Sequence, residues 1–232
     1  MWSASHEPVL CLVTDRKRLG VDSDDTRPLL DLIASAAAAG VDLIQIREAD
    51  LEDRALIHLV AEAVEATNAT PTRIVVNDRF DLALSAGAAG VHLKETSVPA
   101  ARIRPHVPAG WLIGRSIHDV DEGRRVTAEP GLDYVVMGTV FSTDSKPGQA
   151  PVGLEALKRV TQALQVPVLA IGGVTPERLP DLEISGASGL AAIGLFVALA
   201  NSTPQEFRRS VDKIRERWGI RPKADLAISD PG

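Results

Sequence analysis

The chain has little with which to brace itself covalently. Among its 232 residues there is one cysteine, Cys11, so a disulfide framework is excluded. That thiol lies in an apolar run, where a buried small side chain is a plainer reading than a nucleophile. Aromatic residues make up 3% of the chain against 45% hydrophobic residues. The core must therefore be built from Ala, Val, Leu and Ile, which suits parallel strands covered on both faces. Positive charge is in the minority: the formal net charge is −6, which argues against a general nucleic-acid binder. No apolar run is long and uncharged enough to cross a bilayer. The opening residues Met1 to Glu7 lack the basic-then-apolar order of a secretory signal. The expectation is a cytoplasmic protein whose partner is a small molecule, with no nucleic acid and no membrane. The oligomeric state stays open, a homo-oligomer included.

What is present is an alternation of short apolar runs and longer amphipathic segments. Strand-like runs fall at 9–14, 43–47, 73–77, 90–93, 112–116, 134–137, 168–171 and 189–193. Helical patterns fall between and after them, at 28–39, 51–67, 80–86, 97–106, 120–128, 154–164, 176–185 and 204–218. Strict strand–helix alternation over a chain of this length predicts an α/β protein that is a single (β/α)8 TIM barrel over 1–219. An open, doubly wound sheet is the alternative. Gly40, Gly87 and Gly186 stand where helices should stop, and Thr175-Pro176 reads as a cap followed by a first helical residue. Residues 220–232 show no periodicity and read as a flexible C-terminal tail.

Two apolar runs stop at glycine: Ala170-Ile171-Gly172-Gly173 and Ala191-Ala192-Ile193-Gly194. In a barrel these are the ends of strands seven and eight, where backbone N–H groups commonly receive a phosphate. Polar residues cluster at the other strand ends, and the pairs Gln45/Arg47, His92/Lys94 and Ser116/His118 alternate onto one face. That face is the lumen or its mouth. Singly, each has a plainer reading: Asn77-Asp78 as a helix cap, His92 as a packed histidine, Arg47-Glu48 as a solvated pair. Jointly they predict an active site. The long loop after Met137 adds Thr143 and Lys146, the latter a natural phosphate partner.

From about Val9 to Phe196 these residues resemble the thiamin phosphate synthase and thiazole tautomerase family, whose fold is a (β/α)8 barrel. The motifs that carry the resemblance are Gln45-x-Arg47-Glu48, Asn77-Asp78, Gly90-Val91-His92-Leu93, Ile113-Gly114-x-Ser116-x-His118, Gly138-x-Val140-Phe141-x-Thr143-x-x-Lys146 and Ala170-Ile171-Gly172-Gly173. The resemblance implies that Gly172, Gly173, Ile193 and Gly194 hold the phosphate of a thiazole. It also implies that Gln45, Arg47, Asn77, His92, Thr143 and Lys146 line the substrate. The family usually has serine where Gly194 stands, so a hydroxyl is lost there while the N–H remains.

The family has two enzymatic branches. The synthases join a pyrimidine pyrophosphate to a thiazole phosphate and bind Mg²⁺ through the aspartate of the Asn-Asp pair and a second aspartate after the strand-four histidine. Here the first is Asp78 but the second is Ser97, a poor ligand for a hard cation. The lysine expected two residues after the strand-two arginine is Ala49. Glu95 is left as the carboxylate that could supply a metal ligand from a shifted position. The other branch aromatises a carboxythiazole phosphate by moving a proton, without metal. On that reading His118 is the base, Ser116 orients it or the substrate, and Arg47 pairs with the carboxylate. These departures favour the isomerase with no cofactor. A divergent Mg²⁺-dependent synthase is the alternative, and a non-catalytic thiazole- or thiamin-phosphate-binding regulator the third reading.

Overall fold

A computed structural model describes residues 7–20, 25–128, 130–143, 148 and 150–219. The tail expected over 220–232 and Lys146 lie outside them. Eight strands form one closed parallel barrel in sequence order: β1 Val9–Val13, β2 Leu43–Ile46, β3 Arg73–Asn77, β4 Gly90–Leu93, β5 Leu112–Ile117, β6 Tyr134–Gly138, β7 Val168–Ile171 and β8 Gly189–Ala192. The helices are α1 Arg27–Ala38, α2 Asp53–Thr67, α3 Phe80–Ser85, α4 Ala100–Ile103, α5 Val120–Thr127, α6 Gly153–Ala163, α7 Leu179–Ile184, α8 Gly194–Val197 and α9 Pro204–Trp218. The closed barrel rules out the open sheet.

Strand alternation splits the apolar residues into two cores. Leu10, Ile44, Val76, Val91, Ile113, Met137 and Leu190 face the helices. Cys11, Val13, Leu43, Val75, Leu112, Tyr134 and Leu169 face inward and fill the lumen floor. The Cys11 thiol is buried there, and burial pushes its pKa up, so it is inert packing. Tyr134 is fully buried and is the one tyrosine of the chain. Gly114 makes room for it, since a Cβ at Gly114 would occupy the Tyr134 ring.

Helix ends follow local chemistry. After α1, α3 and α7, the glycines at 40, 87 and 186 take φ of 92°, 75° and 81°. Each donates back three residues, and the following residue donates back five, as in Gly40 N to Ala37 O and Val41 N to Ala36 O. These are the paired hydrogen bonds of a Schellman stop. Thr203 caps α9 in a reciprocal box with Glu206, an arrangement worth about 1 kcal/mol. Arg215 of α9 donates to Pro8 O, Gly40 O and Asp42 Oδ2, tying the last helix to the first two strands.

Two helix expectations need correction. The one over 97–106 becomes α4 plus a 3₁₀ turn at Arg104–His106, because the residue before Pro99 avoids the helical region and Pro105 has no N–H to continue the ladder. The one over 176–185 breaks into a 3₁₀ turn at Pro176–Arg178 and α7, because Pro180 likewise lacks a donor. Thr175 does stand at the cap, extended at φ −129°, with Pro176 first in the turn, although its side chain makes no capping bond.

Candidate active site

A cavity of about 840 Å³ opens at the C-terminal ends of the strands. It gathers Gln45, Arg47, Asn77, His92, Ser116, His118, Thr143, Gly172, Gly173, Ile193 and Gly194 at one mouth, as the strand-end pattern predicts.

At one side of the mouth are the turns after β7 and β8. Gly172 and Gly173 have φ of 100° and 62°. A Cβ on Gly173 would strike the Ser142 carbonyl oxygen and Phe141, so this turn admits only glycine. Its carbonyl is held by Arg178 Nη1 at 2.7 Å, and the Arg178 guanidinium lies 4.5 Å from the Phe141 ring centroid. After β8, the first bonds of α8 run from Phe196 N and Val197 N to Ile193 O. The N–H groups of Gly194 and Leu195 precede them and carry the unshared donors of a helix start. The Arg18 guanidinium comes within 3.6 Å of the place a Gly194 Cβ would occupy, so a cation stands beside the serine hydroxyl that this turn lacks.

Across the barrel, β2 to β5 supply neutral polar groups. Gln45 Nε2 donates to Asn77 Oδ1 at 3.1 Å. His92 is buried, with Nδ1 3.2 Å from the Tyr134 hydroxyl and Nε2 3.0 Å from Ser116 Oγ. Burial lowers the His92 pKa to about 3, so its ring is neutral and acts as a hydrogen-bond relay to Ser116. His92 is thus both the packed histidine of the plainer reading and part of the cavity wall. Asp78 follows at φ 59°, a backbone region aspartate tolerates in turns.

His118 is the half-buried imidazole at the rim. Its Nδ1 lies 3.0 Å from Glu95 Oε2 and 3.3 Å from Glu122 Oε2, and its backbone N–H donates to Glu122 at 2.8 Å. With Nδ1 turned to these carboxylates, Nε2 is the ring nitrogen left for proton exchange.

The Mg²⁺ that the resemblance implies finds no ligand set at Asp78. One Asp78 oxygen accepts the Ser97 hydroxyl, and the other faces Lys94 Nζ at 3.2 Å. Burial by itself would raise the Asp78 pKa, but Ser97 and Lys94 outweigh it and hold the carboxyl below its usual range. Glu95 does not shift toward Asp78, because it is committed to His118. Among the described residues, the group with metal-ligand spacing is Glu95, His118 and Glu122. Both of its carboxylates serve the imidazole, and an imidazole is not a ligand that a hard cation selects. Asp78 and Ser97 are also absent from the cavity lining, whereas Lys94 and Ala49 belong to it.

Arg47-Glu48 is not a solvated pair. Glu48 is 4% exposed and is held by the buried Arg16 through Nη1 at 3.2 Å and the Arg16 backbone N–H at 3.2 Å. Arg16 also grips Asp50 with two bonds, of 2.7 and 3.0 Å. The 3₁₀ turn Arg16–Leu19 that carries this arginine and brings Lys17 and Arg18 to the mouth was not anticipated. The basic run after the β1 end was its signal: a strand terminus followed by Arg16-Lys17-Arg18 places cations at the rim of any barrel.

Comparison with known proteins agrees with this geometry. The family described as Thiamine monophosphate synthase matches residues 10–196. A thiamine-phosphate synthase of Methanoculleus marisnigri is 40% identical over 80% of this chain and 90% of its own length. A putative thiamine-phosphate synthase of Geobacter sulfurreducens is 37% identical over 87% of this chain and 92% of its own. The solved structure of a thiamine phosphate pyrophosphorylase from Pyrococcus furiosus superposes with a TM-score of 0.75 at 26% identity, covering 90% of this chain and 96% of that one. These relatives carry the synthase name, against the isomerase preference drawn from Ser97 and Ala49. Barrel, mouth and relatives together make the chain a member of the thiamine monophosphate synthase family, a thiamin-biosynthesis enzyme.

Proposed function

We propose that the chain is a transferase that joins a pyrimidine carried on pyrophosphate to a thiazole phosphate. The observation that carries this reading is a single cavity with two separate cationic or N–H-rich ends. One is the glycine turns after β7 and β8 beside Arg18, the other Arg47 and Lys94 across the barrel. The volume of about 840 Å³ suits two small substrates. The names of the relatives support the same choice.

On this reading the thiazole phosphate rests on the N–H groups of Gly172, Gly173 and Gly194, with Arg18 adding charge. The Gln45–Asn77 amide pair and Ser116 address the pyrimidine, and Arg47 and Lys94 hold the pyrophosphate. The thiazole nitrogen supplies the electron pair that forms the new C–N bond. The C–O bond to pyrophosphate breaks, and that pair leaves on the pyrophosphate oxygen. Holding both partners in one closed-floor cavity converts a two-body encounter into a positioned displacement, and the cations stabilise the charge that develops on the leaving group.

A second reading rests on His118. An imidazole clamped at Nδ1 by Glu95 and Glu122, with Nε2 left to accept a proton, suits aromatisation of a carboxythiazole phosphate. A paired assay separates the two. Purified protein is given either the pyrimidine pyrophosphate with thiazole phosphate, or the unaromatised carboxythiazole phosphate. Thiamin phosphate in the first tube is the expected result. Aromatisation in the second tube alone replaces the transferase with the isomerase. His118→Asn is expected to leave condensation within about threefold of the parent; on the second reading it abolishes turnover.

A further inference from the structure

We propose that the Lys94 ammonium takes the place of a divalent cation at the Asn77–Asp78 end of the cavity, so that a pyrophosphate group is held there directly by protein cations without metal. The inference rests on the transferase reading for the identity of its ligand, but it is tested apart from turnover.

Charge and occupancy both point this way. A site built from two aspartates and a divalent cation is locally neutral. Here the second aspartate position is Ser97 and a lysine stands in the same loop. One carboxylate with one ammonium is again neutral, so the local balance is kept with a single positive charge delivered by the chain. Lys94 Nζ is 3.2 Å from Asp78 Oδ2, and the Ser97 hydroxyl takes the other Asp78 oxygen. A metal would have to displace both partners and would then find one carboxylate where a hard cation wants several oxygens. Lys94 is 55% exposed along its side chain and lines the cavity with Arg47. Its remaining donors can therefore meet an anion while Asp78 orients it.

The loop that carries this lysine is held in place from beneath. Arg115, only 5% exposed, donates to the carbonyls of Glu95, Ser97 and Val98 at 2.8, 2.5 and 3.0 Å. The Ser97 hydroxyl also accepts the Lys94 backbone N–H at 2.9 Å. The backbone under this ammonium is thus fixed before a ligand arrives, and the Asp78 contact directs the side chain.

The test is calorimetric titration of inorganic pyrophosphate into the full chain, once with excess EDTA and once with Mg²⁺. The expected result is the same affinity in both, within about twofold, and a loss of about tenfold or more in Lys94→Met. That loss corresponds to about 1.4 kcal/mol. Circular dichroism checks that the variant is folded, which its exposed position favours. The double variant Lys94→Gly, Ser97→Asp restores the two-carboxylate arrangement and is expected to bind pyrophosphate only with Mg²⁺. Binding by the parent that requires Mg²⁺, binding that Lys94→Met leaves unchanged, or no pyrophosphate binding under either condition overturns the inference. The condensation assay keeps the two readings distinguishable. Metal-free pyrophosphate binding without thiamin phosphate formation removes the transferase reading and leaves this one. Thiamin phosphate formed only with Mg²⁺ does the reverse.

Discussion

At Gly173 the backbone sits at φ 62° and a Cβ would run into the Ser142 carbonyl oxygen, so two independent costs fall on any side chain there. Left-handed geometry costs an L-residue about 1–2 kcal/mol, and the collision adds displacement of the loop after β6. Gly173→Ala is expected to weaken inorganic phosphate binding by about tenfold, read by calorimetry. Gly110→Ala is the control. It has a similar φ of 76° but open space around the new methyl, so it should lower the melting temperature and leave phosphate affinity alone. The tight turn at Gly172-Gly173 was legible in the sequence, because two glycines ending an apolar run mark bare backbone at a strand end. The commitment of Asp78 to Lys94 was not, because an ion pair leaves no periodic trace. The same holds for His118, whose position was legible but whose clamp by Glu95 and Glu122 was not.

The elements divide in the same way. Strands β3, β4 and β7 and helix α9 fall where the alternation and caps put them, since apolar runs and proline or glycine stops are local signals. The turn Arg16–Leu19 escaped because four residues with three cations carry no apolar rhythm. Its partner Glu48 lies 32 residues away in sequence, a pairing that only the closed barrel creates. This turn latches the loop after β1 to the loop after β2. Arg16→Ala leaves the Glu48 carboxylate buried without its guanidinium, and breaking such a pair costs about 3–5 kcal/mol. Urea denaturation should report a loss in that range. The same variant should also weaken phosphate binding, because Arg18 rides on the released turn. A loss under about 0.5 kcal/mol would mean that the Arg16 backbone N–H alone satisfies Glu48.

For the whole molecule, the neutral His92 makes stability depend on acidity. Its pKa is about 3 when folded against about 6.5 for a free histidine. The unfolded chain therefore binds this proton first as pH falls. The stabilisation is complete above the unfolded value and is lost as pH drops from there toward the folded value. Within that window one proton contributes a slope of about 1.4 kcal/mol per pH unit. Carboxylates titrate in the same range, so the measurement is a comparison. The unfolding free energy of the parent and of His92→Asn is followed from neutral pH downward, and the variant's curve should be shallower by about one proton. Equal slopes would mean that His92 takes up its proton as readily in the folded barrel as in the unfolded chain.

The packed floor of Cys11, Leu43, Val75, Leu112, Tyr134 and Leu169 has a kinetic meaning. Among the described residues, a lumen sealed below leaves the strand-end mouth as the doorway. On the transferase reading two molecules share this chamber in a queue: the one that settles deepest, against His92 and Ser116, arrives first. Whatever is last to enter at the rim guards the exit. Steady-state rates should accordingly show a compulsory order of addition, with the rim ligand trapping its neighbour inside.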